Sequence, residues 1–218
     1  MIKGMIITCP KHDDATEYLA YYSREILEEA KTKNLKVKEV IPNKSFNLAS
    51  FSDIIKSIDY QLVIFNGHGS PDSIFGYKDN IIVKAGENAN LLKERIIYAR
   101  ACEAGLVLGK ECMKNTENGC FIGYNLPFVF YLDQTWSANP HNDNTARLFL
   151  IPSNSVPISL IKGNTCINAH NSSREKILKN INKLLTGRLE PDTIFLVEGL
   201  WNNYMGQVII GNESAMLS

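Results

Sequence analysis

The chain has 218 residues, 44% of them apolar and 21% charged, which is the composition of a folded globular domain and excludes bulk disorder. Lysine plus arginine equals aspartate plus glutamate at 23 each, so the chain has no basic excess with which to hold nucleic acid. Five cysteines at Cys9, Cys102, Cys112, Cys120 and Cys166, odd in number and without a CxxC pair, argue against a disulfide framework or a structural zinc site and for reduced thiols in a cytoplasm.

The pattern then reads in chain order. Met5 to Thr8 is a short buried strand. Asp14 with Glu17 forms a capping box that opens a helix with Leu19, Tyr22, Ile26 and Leu27 on one face, ending near Lys33 and Asn34. Leu35 to Ile41 alternates and reads as a strand at or near an edge. A helix over Asn47 to Ile58 leads to the apolar strand Gln61 to Phe65. Ser73 to Tyr77 and Asn80 to Lys84 make a small hairpin, and Ala89 to Lys93 a short helix. Arg95 to Ala99 is another buried strand, followed by a helix over Ala104 to Lys114 and a strand over Gly119 to Tyr124. Asn125 to Asn142 has no period, and at that length it reads as a substrate wall, a moving flap, or a loop anchored by a buried Trp136. Helices are expected over Asn144 to Ile151 and Ser173 to Leu185, the latter stopped by Gly187, and strands over Thr193 to Val197 and Gln207 to Ile210.

This alternation predicts an α/β fold, a doubly wound, mostly parallel sheet with helices on both faces and a small β-hairpin insertion. No repeat or linker interrupts it, so residues 1–218 read as a single domain. No stretch approaches the roughly 20 apolar residues of a membrane span, and the N-terminus lacks a signal-peptide core. The sequons at Asn171 and Asn212 carry no meaning in a cytoplasmic chain.

Chemistry in such sheets gathers at the carboxyl ends of the strands. Two loops qualify: Asn66-Gly67-His68-Gly69-Ser70 and Ala101-Cys102-Glu103-Ala104-Gly105. If their strands are neighbours, His68 and Cys102 face one crevice. At the junction of its strand and the helix that follows, Cys102 would have its thiol pKa lowered by the helix N-terminus, and the imidazole would take the proton or pair with the thiolate. The N–H groups of Gly69 and Cys102 are candidates for an oxyanion site. Taken alone, each loop has a plainer reading, a tight turn for the histidine and a small buried hydrophobe for the cysteine.

Together, the blocks LVIFNGHGS (Leu62 to Ser70) and IIYARACEAG (Ile96 to Gly105) resemble the caspase-like cysteine peptidases. The first is similar to metacaspase and gingipain motifs, the second to legumain and to the bacterial CHAT proteases. The C-terminal QVIIGNESA segment from Gln207 is weakly similar to the strand and Gly-Asp-Pro that close many such domains, with Asn212 and Glu213 standing in place of Asp-Pro. The resemblance implies a caspase-like fold and an endopeptidase in which Cys102 is the nucleophile and His68 the base. A dyad suffices in that family, so no third residue, metal or organic cofactor is expected. The resemblance places the pocket for the residue before the scissile bond at the loop Cys9 to Asp14. There Asp13 and Asp14 would favour a basic residue, with Ala101 and the rim residue Asp133 completing the expected substrate contacts and Asp72 a further acidic rim residue. Arg100 is expected to pack beneath the site, Cys112 and Cys120 in the core, and His141 and His170 on the surface or in loops.

The partners expected are a protein or peptide substrate and an activating protein, with neither nucleic acid nor membrane. The implied setting, by analogy, is bacterial immunity or cell death. Three alternatives differ in kind. An amidotransferase or α/β hydrolase would place its nucleophile before its histidine, the reverse of the order here. A receiver- or flavodoxin-like module would need an acidic or phosphate-cradling loop after the first strand. A catalytically latent or inactive caspase-like fold would serve as a binding or scaffold module.

Overall fold

A computed structural model describes residues 1–188 and 190–217. Its strands are β1 (Ile2–Thr8), β2 (Lys36–Val40), β3 (Tyr60–Asn66), β4 (Ser73–Phe75), β5 (Ile81–Lys84), β6 (Ile96–Arg100), β7 (Cys120–Tyr124) and β8 (Gln207–Gly211). Its helices are α1 (Asp14–Thr32), α2 (Leu48–Ser57), α3 (Leu108–Cys112), α4 (Asn144–Ile161), α5 (Cys166–Thr186) and α6 (Thr193–Gly206).

Six strands form one sheet in the order β2-β1-β3-β6-β7-β8, parallel except for β8, which runs antiparallel to β7. The hairpin β4-β5 stands apart as its own two-stranded sheet. This is the expected doubly wound α/β architecture, with β2 at an edge. The central strands β3, β6 and β7 carry near-continuous apolar runs because both faces are covered. The pleat divides them: Leu62, Ile64, Ile96, Tyr98, Cys120 and Ile122 pack with Val156, Leu160 and Cys166 on the side of α1, α4 and α5. Val63, Phe65, Ile97, Ala99 and Phe121 pack with Phe51, Ile55 and Leu108 on the side of α2, α3 and the hairpin.

Several boundaries differ from expectation. Asp13, not Asp14, caps α1: its side chain accepts from the Thr16 N–H, and Thr16 rather than Glu17 returns the bond to the cap. Helix α4 runs past Ile151 to Ile161 through Pro152 and Pro157. The buried Ser153 hydroxyl lies 2.7 Å from the Tyr98 hydroxyl and Asn154 accepts from Arg100, so core contacts hold the helix across two residues that would otherwise break it. Helix α5 starts at Cys166 with Thr165 as its cap, which draws His170 into the helix and the core rather than onto the surface. The expected strand Thr193 to Val197 is the start of α6, since a five-residue apolar run does not distinguish a buried strand from a helix. Cys112 and Cys120 are buried, as expected.

Candidate active site

The two chemistry-bearing loops leave adjacent strands in register. Asn66 and Arg100 are paired partners on β3 and β6. The fully buried Arg100 ties this corner together. Its Nε donates to Asn66 Oδ1 at 2.7 Å, one guanidinium nitrogen to Asn154 Oδ1 at 2.7 Å and the other to Ser23 Oγ at 2.9 Å. Asn154 in turn donates to Glu25 at 2.9 Å, so the buried cation is linked to a carboxylate through one amide. Four elements, α1, β3, β6 and α4, are thereby fixed beneath the two loops, and satisfied donors offset the cost of the buried charge.

Above that base the loops touch. Gly67 has φ +141, a conformation reserved for glycine, and its N–H donates to the Arg100 carbonyl at 3.3 Å. A Cβ on Gly69 would lie 2.8 Å from both the Ala101 Cβ and the Cys102 carbonyl oxygen. Only glycine permits this approach, which brings the loop of His68 onto that of Cys102. Ala101 is buried under Gly69 and packs the two loops together. His68 and Cys102 line one small cavity of about 70 Å³, with Ala15, Thr16, Leu19, Gly67, Phe128 and Phe130 as the other walls.

Asp13 pairs with the imidazole of His68. Its Oδ1 accepts from the Thr16 N–H and hydroxyl, both at 2.8 Å, and its Oδ2 lies 2.7 Å from His68 Nε2. Partial burial pushes the Asp13 carboxyl up, but the bonds from His68 and Thr16 outweigh it and hold it down at about 2. An ionised carboxylate on Nε2 fixes the tautomer with the proton on Nε2 and leaves Nδ1 as the basic nitrogen. The residue proposed from sequence for substrate charge is thus already occupied inside the chain, as helix cap and as histidine partner. Asp14 is an exposed first-turn residue of α1, and Asp133 caps the short 3₁₀ turn Gln134–Trp136 through Thr135. Asp133 borders a separate cavity of about 610 Å³ with Phe130, Tyr131, Leu132 and Phe195. Asp72 is held by Ser70 and Ser73, each at 2.9 Å.

His12, Asp13 and His68 present ligand atoms within 4.8 Å of one another. Two ligands of one zinc ion would stand roughly 3.3 Å apart, given bonds of about 2.05 Å. The 2.7 Å between Asp13 and His68 is instead a hydrogen bond.

Cys102 differs from expectation in one respect. Residues 102–107 are turns, Glu103 takes φ 58, and α3 begins only at Leu108, so Cys102 does not stand at the N-terminus of the helix that follows it. Burial raises the Cys102 pKa, opposed by a contact with the Phe128 carbonyl and reinforced by the nearby Glu103 carboxylate. The sulfur lies 4.0 Å from that carbonyl oxygen. The resting group is therefore a thiol.

The stretch after β7, expected as a substrate wall, a flap or a loop anchored by a buried Trp136, supplies Phe128 and Phe130 to the wall of the cavity that His68 and Cys102 line. Asn203 on α6 donates to the Val129 carbonyl at 2.5 Å and accepts from its N–H at 2.9 Å, and Asn202 donates to the Pro127 carbonyl at 2.7 Å. Phe128 packs on Tyr124 with ring centres 4.7 Å apart. The anchor is this asparagine pair, not Trp136, whose side chain is exposed. The alternation of Phe128, Phe130 and Leu132 was the available signal.

No protein-family model matches the sequence, and no curated protein matches it. Among solved structures, the complex of the pro- and mature domains of Porphyromonas gingivalis RgpB is similar, with a TM-score of 0.63 at 10% sequence identity over 98% of this chain and 48% of that one. The chain therefore spans about half the length of that protein. At this identity the likeness carries the fold, which is the caspase-like α/β arrangement. Among the described residues no helix is long and apolar enough to cross a membrane.

Proposed function

We propose that this chain is a cysteine-type endopeptidase with Cys102 as nucleophile, His68 as general base and Asp13 as the residue that orients His68. The observation that carries the reading is the convergence of His68, hydrogen-bonded to Asp13 at 2.7 Å, and Cys102 on one cavity at the carboxyl ends of adjacent parallel strands.

The chemistry follows from the proton inventory. His68 Nδ1 removes the Cys102 proton as Sγ bonds to the substrate carbonyl carbon, and the carbonyl electrons move onto oxygen. The N–H groups of Gly69 and Cys102 stabilise that oxyanion. Collapse breaks the C–N bond while imidazolium hands its proton to the leaving amine, and a thioester remains. Water, deprotonated by Nδ1, attacks the thioester and restores the thiol. Throughout, Asp13 stabilises the transient imidazolium without accepting its proton.

The raised thiol pKa and the contact with the Phe128 carbonyl support the reading of a resting state. We propose that a protein partner raises the rate of this enzyme without remaking the walls around Cys102, consistent with a fold neighbour described together with its pro-domain. The test is cleavage of a fluorogenic peptide mixture by the wild-type chain and by Cys102→Ala. Turnover that falls at least about a hundredfold in the variant supports the reading. Equal turnover in both removes it.

A further inference from the structure

The cavity against Cys102 is small and apolar, and this bears on substrate class. It measures about 70 Å³, roughly half the ~150 Å³ of an apolar cavity that accepts benzene, and so has room for about three carbon atoms. Its walls are Ala15, Leu19, Phe128 and Phe130, the Thr16 side chain, the Gly67 backbone and the two reacting residues. No carboxylate is among these walls. The acids adjoining these walls in sequence, Asp14, Glu17 and Glu103, do not line the slot, and Asp13 has both oxygens occupied, by Thr16 and by His68. The Thr16 hydroxyl is itself committed to Asp13.

The walls are also fixed. Thr16 and Leu19 belong to α1, whose Tyr18 and Tyr22 hydroxyls bond to Asp143 and the Pro140 carbonyl, each at 3.1 Å. Phe128 and Phe130 flank Val129, whose N–H and carbonyl are both held by Asn203. Phe130 separates the slot from the cavity of about 610 Å³ that it borders on its other side.

Resting on the peptidase reading, we infer that this slot takes the side chain of the acyl residue, the one that becomes bonded to Sγ, and that it selects alanine or valine over charged or large residues. A guanidinium or carboxylate in the slot would be desolvated without a partner. A side chain larger than valine would overfill it, and a mismatch of one or two carbons in an apolar pocket is worth roughly 10- to 200-fold in rate. Phe130 sets the size limit.

The test uses peptidyl acyloxymethyl ketones that differ only in the terminal residue, Ala, Val, Leu, Arg or Asp. With each, Sγ bonds to the methylene carbon and a carboxylate leaves, and the adduct is followed by intact mass. The expected result is labelling by the Ala and Val probes at least about tenfold faster than by Arg or Asp. In Phe130→Ala the slot opens into the larger cavity, and the ratio of Leu to Ala labelling rises at least about tenfold. Fastest labelling by Arg, or rates that ignore the terminal residue, overturns the slot assignment and leaves the peptidase reading standing. Labelling by none of the five defeats the peptidase reading and the slot with it.

Discussion

Asp13 links catalysis and folding in one carboxylate. One oxygen caps α1 through Thr16 and the other holds His68. Asp13→Asn keeps an acceptor for the cap and removes the charge that stabilises imidazolium. The expected outcome is a kcat lowered by about ten- to hundredfold with little change in KM, part of the hundred- to ten-thousandfold typical of general acid–base catalysis. Asp13→Ala loses the cap as well and should cost a further stability of about 1 kcal/mol, read by denaturant unfolding of both variants. The sign of the pH dependence follows from a carboxyl held at about 2 in the fold against 3.8 outside it. The ionised form stabilises the fold above about pH 4, and that contribution disappears as pH falls through 2. The residue is partly exposed, so solvent screens much of it.

At the level of elements, the segment between β7 and α4 matters more than its lack of regular structure suggests. It supplies Phe128 and Phe130 to the slot and the carbonyl that meets the Cys102 thiol. Its attachment is local, through Asn202 and Asn203 on α6. Asn203→Ala leaves the Val129 N–H and carbonyl without their partner and should destabilise the fold by about 1–3 kcal/mol. If this segment holds the thiol in its resting state, alkylation of Cys102 by iodoacetamide becomes faster in Asn203→Ala, whereas an unchanged rate would separate the anchor from the site. The asparagines were invisible in the sequence for a physical reason. A strand-like apolar run, Thr193 to Val197, masked a helix, and helix α6 alone places Asn202 and Asn203 opposite the wall.

Across the whole molecule, what the sequence made legible was what periodicity and local chemistry dictate. The central strands declared themselves because burial on both faces demands unbroken apolar runs, and His68 and Cys102 stood out because each follows such a run. Less legible were features set by long-range packing: helix α4 continuing through two prolines, the turns that separate Cys102 from the start of α3, and the histidine partner Asp13, 55 residues from His68. His170 belongs to the same group, a helical histidine drawn into the core. Burial, reinforced by the Arg174 cation, lowers its pKa to about 4 from 6.5. The unfolded chain therefore binds a proton there first, and stability falls as pH drops from 6.5 toward 4. The effect is on the order of 3 kcal/mol, and His170→Gln should flatten this part of the stability–pH curve. The central claim concerns two residues, and one measurement reaches both: the rate at which an Ala-terminated acyloxymethyl ketone adds to the wild-type chain, to Cys102→Ala and to His68→Ala, with the modified peptide sequenced. The account predicts one adduct, on Cys102, absent from Cys102→Ala and at least about a hundredfold slower in His68→Ala. An adduct on another cysteine, or an unchanged rate without His68, would contradict it.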